Sequence, residues 1–93
     1  MDIFGQIVEK IIKEQEDIIG PIALEQAKKV DGLKVDWEKH VISVTGDKKA
    51  VLEKLVAQYE HLFGKASVEV CKDAVKRIIG EAPKDQIPQV LLG

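Results

Sequence analysis

The strongest constraint in this chain is the apolar stripe of its first nineteen residues. Ile3, Phe4, Ile7, Val8, Ile11 and Ile12 recur at helical spacing, and Ile18 and Ile19 return on nearly the same line. Glu9, Lys10, Lys13, Glu14, Glu16 and Asp17 fill the other faces. Asp2 stands where an N-cap belongs. A stripe this wide needs cover on more than one side. A chain of 93 residues makes a single domain, 1–93, that buries roughly two-thirds of its unfolded surface. The cover therefore comes from the rest of this chain or from a second molecule. The chain is 45% hydrophobic and 32% charged, which is the balance of a folded globule and excludes a disordered one. Its aromatic residues are Phe4, Trp37, Tyr59 and Phe63, so the core is mostly Ile, Val, Leu and Ala.

After the first helix, Gly20-Pro21 interrupts. The residue before a proline is held out of helical geometry, whereas proline suits a first helical turn, so a second helix is expected from about Pro21 to Val30. Asp31-Gly32 ends it. Leu33, Val35 and Trp37 then alternate with Lys34 and Asp36 as one strand, and His40 to Thr45 forms a second. Glu38-Lys39 between them lacks the Gly or Asn of a tight two-residue hairpin. Asp47 opens a long helix with Val51, Leu52, Leu55, Val56, Tyr59, Leu62 and Phe63 on one stripe, and Gly64 ends it. Residues 66–79 read two ways: as a helix capped by Ser67 with Val68, Cys71, Val75 and Ile78 on a face, or as a strand over 66–71 followed by a short helix. The tail from Pro83 carries Ile87, Val90, Leu91 and Leu92. No low-complexity tract and no internal repeat emerges. The fold class is α+β: two N-terminal helices, a β-hairpin, a long helix, and either a C-terminal helix or a third strand with a short helix.

Charge and chemistry exclude several functions. A net charge of −2 gives no global field toward nucleic acid or an anionic membrane, and no segment approaches the ~20 apolar residues of a membrane span. Arg77 is the sole arginine, which argues against base-specific DNA reading. The N-terminus lacks the apolar run of a secretion signal, and a lone Cys71 makes no internal disulfide; the expected compartment is cytoplasmic. Cys71 reads as a buried structural thiol. His40, His61 and Cys71 lack the close pair spacing of zinc ligands, and Glu14, Glu16 and Asp17 read as a solvated cluster. The sequence therefore assigns no catalytic residue, no metal ligand and no cofactor. Trp37 is either core or, if exposed, a stacking residue.

Residues 18–58 carry a recognisable run: Ile18-Ile19-Gly20, a helix, strands through Leu33–Asp36 and Ile42–Thr45, and a helix opening at Asp47. This run resembles the second half of a KH nucleic-acid-binding domain, whose Gly-x-x-Gly loop clamps about four backbone nucleotides. Gly20 matches the first loop glycine, and Ala23 stands in place of the second. The resemblance implies single-stranded RNA or DNA as a partner, with Gly20, Lys28, Lys29, Lys34 and Trp37 as the contact set. The same helix–strand–strand–helix order is similar to the later part of heavy-metal-associated domains, but Gly20-Pro21-Ile22-Ala23 holds no Cys-x-x-Cys, so no metal transfer follows.

Two readings emerge. In the first, the chain is a non-catalytic binding module that meets a protein partner or a second copy through surplus stripe residues, Ile3, Phe4, Ile7 and Ile11. In the second, it is a degenerate KH-like module for single strands.

Overall fold

Two aspartates start the two long helices. Asp2 Oδ1 accepts from the Gly5 backbone N–H at 2.9 Å, and Asp47 Oδ1 from that of Ala50 at 3.1 Å; each satisfies a donor that a helix start leaves unpaired. The computed structural model describes residues 1–92. In chain order it contains helices α1 (Ile3–Ile19) and α2 (Ile22–Ala27), strands β1 (Leu33–Asp36) and β2 (Val41–Val44), and helices α3 (Lys48–Phe63) and α4 (Lys65–Val75). Two short 3-10 turns at Ile79–Glu81 and Lys84–Gln86 lead to α5 (Gln89–Leu92). The α+β expectation holds. Residues 66–75 take the helical alternative. Their helix starts two residues before Ser67, which is buried inside it rather than capping it. Helix α2 is shorter than expected: Lys28 caps it and turns carry the chain to Val30.

Strands β1 and β2 pair antiparallel with Leu33 opposite Val44 and Val35 opposite Ile42. Those two pairs share one face and point into the core, whereas Lys34–Ser43 and Asp36–Val41 face outward. Each strand ends one residue inside its expected limit. The connection is a four-residue turn, 37–40, that closes with His40 at φ 52°. An isolated two-stranded hairpin is marginal in water; this one rests on α1. Gly5 permits the approach, since a Cβ there would lie 2.6 Å from the Ile42 carbonyl oxygen.

The stripe of α1 is covered from three sides, by α4, α2 and β2. Phe4, Ile7, Val8, Ile11 and Ile12 are buried and Ile3 is half-buried. This corrects the expectation that Ile3, Phe4, Ile7 and Ile11 supply an interaction surface: the chain covers them itself. The tail docks as well, with Ala82, Ile87 and Leu91 in the core.

The structure also shows a repeat that the sequence reading does not find. A shift of 44 residues carries α1–Gly20–α2 onto α3–Gly64–α4. Every fully buried position of the first helical hairpin from Ile7 to Gln15, together with Ala23 and Ala27, lands on a buried partner: Val51, Leu52, Leu55, Val56, Tyr59, Ser67 and Cys71. Both glycines have the same backbone, φ 77° and ψ −158° at Gly20, φ 82° and ψ −175° at Gly64. Each donates its N–H four residues back, to Glu16 and Glu60. The hairpins are also cross-linked reciprocally. Gln15 Nε2 donates to the Ser67 carbonyl at 3.0 Å, and Tyr59 Oη donates to the Ala23 carbonyl at 2.7 Å; the shift maps each bond onto the other with donor and acceptor exchanged between hairpins. Residue i touching j while i's counterpart touches j's counterpart is the signature of a two-fold relation. The segments that follow break this symmetry: β1–β2 covers α1, while the tail covers α3 and α4.

Candidate functional site

The two cross-bonds set the shape of one end of the molecule. Gln15 holds the last turn of α1 against the first turn of α4, and Tyr59 holds the last turn of α3 against the first turn of α2. Both Gly corners therefore lie at the same end. Gln15 and Tyr59 are also the last buried residues of their helices, and the apolar residues about one turn beyond them are open to solvent: Ile18 is 63% exposed, Leu62 46% and Phe63 38%, and Ile22, which opens α2 just past the first corner, is 37% exposed. Large exposed apolar residues gathered at one end are candidates for a contact site in a way that scattered ones are not. Sequence periodicity missed it, because Ile18, Leu62 and Phe63 lie on the same stripes as their buried neighbours. The usable signal was position, just before a helix-ending glycine.

The charges around this end are unequal. Glu14 and Asp17 are the exposed or flanking acids of the first corner, whereas His61 and Lys65 flank the second. Behind the surface, the cross-bonded cluster of Gln15, Tyr59, Ser67 and Cys71 is buried. Cys71 is fully buried and accepts from Gln15 Nε2 at 3.4 Å. Burial pushes its thiol up to about 11, with the Gln15 hydrogen bond acting in the opposite direction. The Tyr59 hydroxyl is also raised, first by burial and then by the nearby Cys71 and Glu16 charges. Neither group is poised as a nucleophile, since a reactive thiol is exposed and of lowered pKa. Among the described residues, no three His, Cys, Asp or Glu side chains converge as a metal site, and no helix is long and apolar enough to cross a membrane.

The residues implied by the KH resemblance lie on several elements. Gly20 has open space around its Cα. Lys28 and Lys29 are exposed where α2 ends, and Lys34 is exposed on the outer face of the hairpin. Trp37 is half-buried and packs toward the core on the inner side, so Lys34 and Trp37 address opposite sides of the sheet. Trp37 instead lines a cleft of about 420 Å³ against α1, with Glu9, Lys10, Lys13, Glu16 and His40. His40 Nδ1 lies 3.2 Å from Glu9 Oε2, and its ring is tilted 47° to the Trp37 ring at 5.8 Å between centroids. Two lysines balance two glutamates here, so the cleft offers a ring surface without a preference for either sign of charge.

Two further clefts are related by the 44-residue shift. One, of about 400 Å³, lies between the end of α2 and α3 and includes Lys29, Asp31, Lys54, Gln58 and His61. The other, of about 360 Å³, lies between α1 and the end of α4 and includes Lys10, Glu14, Asp73, Lys76 and Arg77. Lys54, Gln58 and Lys29 of the first correspond to Lys10, Glu14 and Asp73 of the second. Comparison with protein-family models, curated proteins and solved structures gives no match for this chain.

Proposed function

We propose that this chain is a non-catalytic protein-interaction module whose partner is a second copy of itself, docked through the end that carries the two Gly corners. The observation that carries this reading is the projection of Ile18, Ile22, Leu62 and Phe63 from one end. Self-pairing is favoured by the charge split between the corners. A second copy turned by 180° sets the Glu14 and Asp17 side of each chain against the Lys65 side of the other, so two sets of opposite charges form from one surface. That is the arrangement an isologous interface needs. The apolar residues supply the driving force and the rim charges set the register.

Sedimentation velocity tests it. The expected result is a concentration-dependent mass rising toward twice 10.3 kDa. Phe63→Lys abolishes the dimer, Asp17→Lys weakens it, and Asp17→Lys combined with Lys65→Asp restores it. A mass of one chain up to millimolar concentration sinks the reading.

A second reading, a KH-like module for single-stranded RNA or DNA, is favoured by one observation: α1, Gly20, α2, β1, β2 and α3 follow one another in the order the resemblance implies. It expects amide shifts at Gly20, Lys28, Lys29 and Lys34 on adding short oligonucleotides, lost as salt rises. Silence of those amides at low salt removes it.

A further inference from the structure

We infer that β1 is a self-complementary sheet edge that pairs antiparallel with β1 of a second copy of this chain, joining two hairpins into one four-stranded sheet. This contact uses a surface other than the Gly corners and does not rest on them. The hairpin packs on α1 through β2, and among the described elements only β2 packs closely on β1, so the other edge of β1 is open. The backbone bonds show what that edge presents. The Thr45 N–H donates to the Gly32 carbonyl at 2.8 Å, whereas the Leu33 N–H turns away from β2 to the Val30 carbonyl at 3.2 Å. Bonded and non-bonded pairs alternate along an antiparallel ladder. Lys34 and Asp36 therefore direct their backbone groups to Ser43 and Val41, and the N–H and C=O of Val35 point out along the open edge. Such an edge is a template for a further strand.

The side chains single out a second copy as that strand. When Leu33-Lys34-Val35-Asp36 is set against itself about Val35, the two Val35 residues exchange both backbone bonds. Lys34 of each copy then stands opposite Asp36 of the other, in the closer, non-bonded pairs with Cα atoms about 4.5 Å apart. One two-fold operation thus yields two opposite-charge pairs on the outer face. Lys34 and Asp36 are exposed, and neither forms an ion pair among the described residues, whose ion pairs are His40–Glu9 and Lys72–Glu69. On the inner face Val35 meets Val35 and Leu33 meets Trp37, all apolar. Slipping the register by two residues sets Lys34 against Lys34 or Asp36 against Asp36, so the charges also fix the register. A contact of four residues per copy is much smaller than a stable dimer interface, so it forms at millimolar and not at micromolar concentration.

Isotope-filtered NMR on an equal mixture of labelled and unlabelled Phe63→Lys protein, at millimolar concentration, tests the pairing without the corner contact. The expected result is an intermolecular cross-peak between the Hα atoms of Lys34 and Asp36, which are too far apart within one strand to give it. Lys34→Asp and Asp36→Lys, each in that background, lose the cross-peak, because like charges then stand opposite. Mixing the two variants restores it between positions 34 and 36, since the acidic strand of one meets the basic strand of the other. Asp36 also accepts from the Lys39 N–H at 3.2 Å, so Asp36→Lys touches the turn; Lys34→Arg leaves the turn intact and keeps the cross-peak that Lys34→Asp loses. No cross-peak in the Phe63→Lys protein, its survival in Lys34→Asp, or no recovery on mixing two folded variants overturns the proposal. Shifts of equal size at 33–36 on adding an uncharged Thr-Val repeat peptide overturn the assignment to a second copy. A cross-peak from a chain that stays a monomer at micromolar concentration upholds this pairing and counts against the corner contact alone.

Discussion

The first helical hairpin, α1–Gly20–α2, and the second, α3–Gly64–α4, bury matching positions with different chemistry. The first is nearly all aliphatic: Ile7, Val8, Ile11 and Ile12 on its long helix, Ala23 and Ala27 on its short one. The second places Tyr59 and Cys71 where the first has Gln15 and Ala27. The cross-bonds nevertheless keep the same geometry, a donor from the long helix to a carbonyl of the opposite short helix. The lesson is that the packing scheme constrains size, burial and one donor per long helix, while leaving the donor's identity free. The surface obeys a different rule. Outside the core the two hairpins diverge in charge, and it is that divergence which separates their corners: Glu14 and Asp17 at the first stand where the second has Gln58 and His61.

The largest test of this equivalence is to delete the two cross-bonding side chains in turn. Tyr59→Ala removes a large buried ring together with its hydrogen bond, and the expected loss in urea denaturation is about 3–5 kcal/mol. Gln15→Ala removes less volume and leaves Cys71 and the Ser67 carbonyl without their side-chain donor; its expected loss is smaller, about 2 kcal/mol. Because each bond clamps one long helix to the other hairpin, the double variant should lose less than the sum of the singles. Strict additivity would mean that the two bonds hold separate contacts and that the two-fold arrangement has no energetic counterpart.

Alkali should distinguish the halves, because only the second carries a buried acid. The sign follows from the thiol. Its folded value, about 11, lies above the ordinary 9.0, so between those values the unfolded chain loses a proton that the folded chain keeps. The stabilisation is fully present below pH 9 and is lost as the pH rises toward 11, up to about 3 kcal/mol. Tyr59, also raised, adds a loss of the same sign at higher pH. Stability measured from pH 8 to 11 should therefore fall in the wild type, and the fall should begin later in Cys71→Ala. Coincident curves would show that the thiol is hydrated in the native state. Thiol alkylation at pH 8 should be slow until denaturant is added.

Much of the fold was legible in the residues. The caps at Asp2 and Asp47, both long helices, both strands to within one residue and the ending at Gly64 all follow from local rules, because each depends on side chains next to the atoms they satisfy. Residues 66–75 were ambiguous since Ala66, Val68 and Val70 alternate as a strand would, and only the cover offered by α1 and α3 decides for helix. The repeat escaped because its shared residues are few. Glu9, Lys10, Glu16, Gly20, Glu25 and Lys28 recur as Glu53, Lys54, Glu60, Gly64, Glu69 and Lys72, mostly surface residues that carry no periodic signal, while the core positions match in burial and not in identity. The exposed end was hidden for a related reason. Ile18 and Phe63 share their helices' apolar stripes, and only the packing shows where cover stops.

The smallest effect is the sharpest test of equivalence, because it involves backbone alone. Gly20 and Gly64 sit at positive φ with ψ near ±180°, a region essentially restricted to glycine. Nothing lies within 4 Å of a Cβ built at either site, so a substitution meets no steric obstacle and its cost is conformational. Gly20→Ala and Gly64→Ala should each cost about 1 kcal/mol, the low end for a strained backbone, and should cost the same. Equal losses would mean that both corners are held by the same capping bond, four residues back to Glu16 and Glu60. A larger loss at Gly20 would locate the difference in Pro21, which follows Gly20 but not Gly64 and limits how far the first corner can relax. Reverting Pro21 to the lysine found at position 65 should then bring the two losses together.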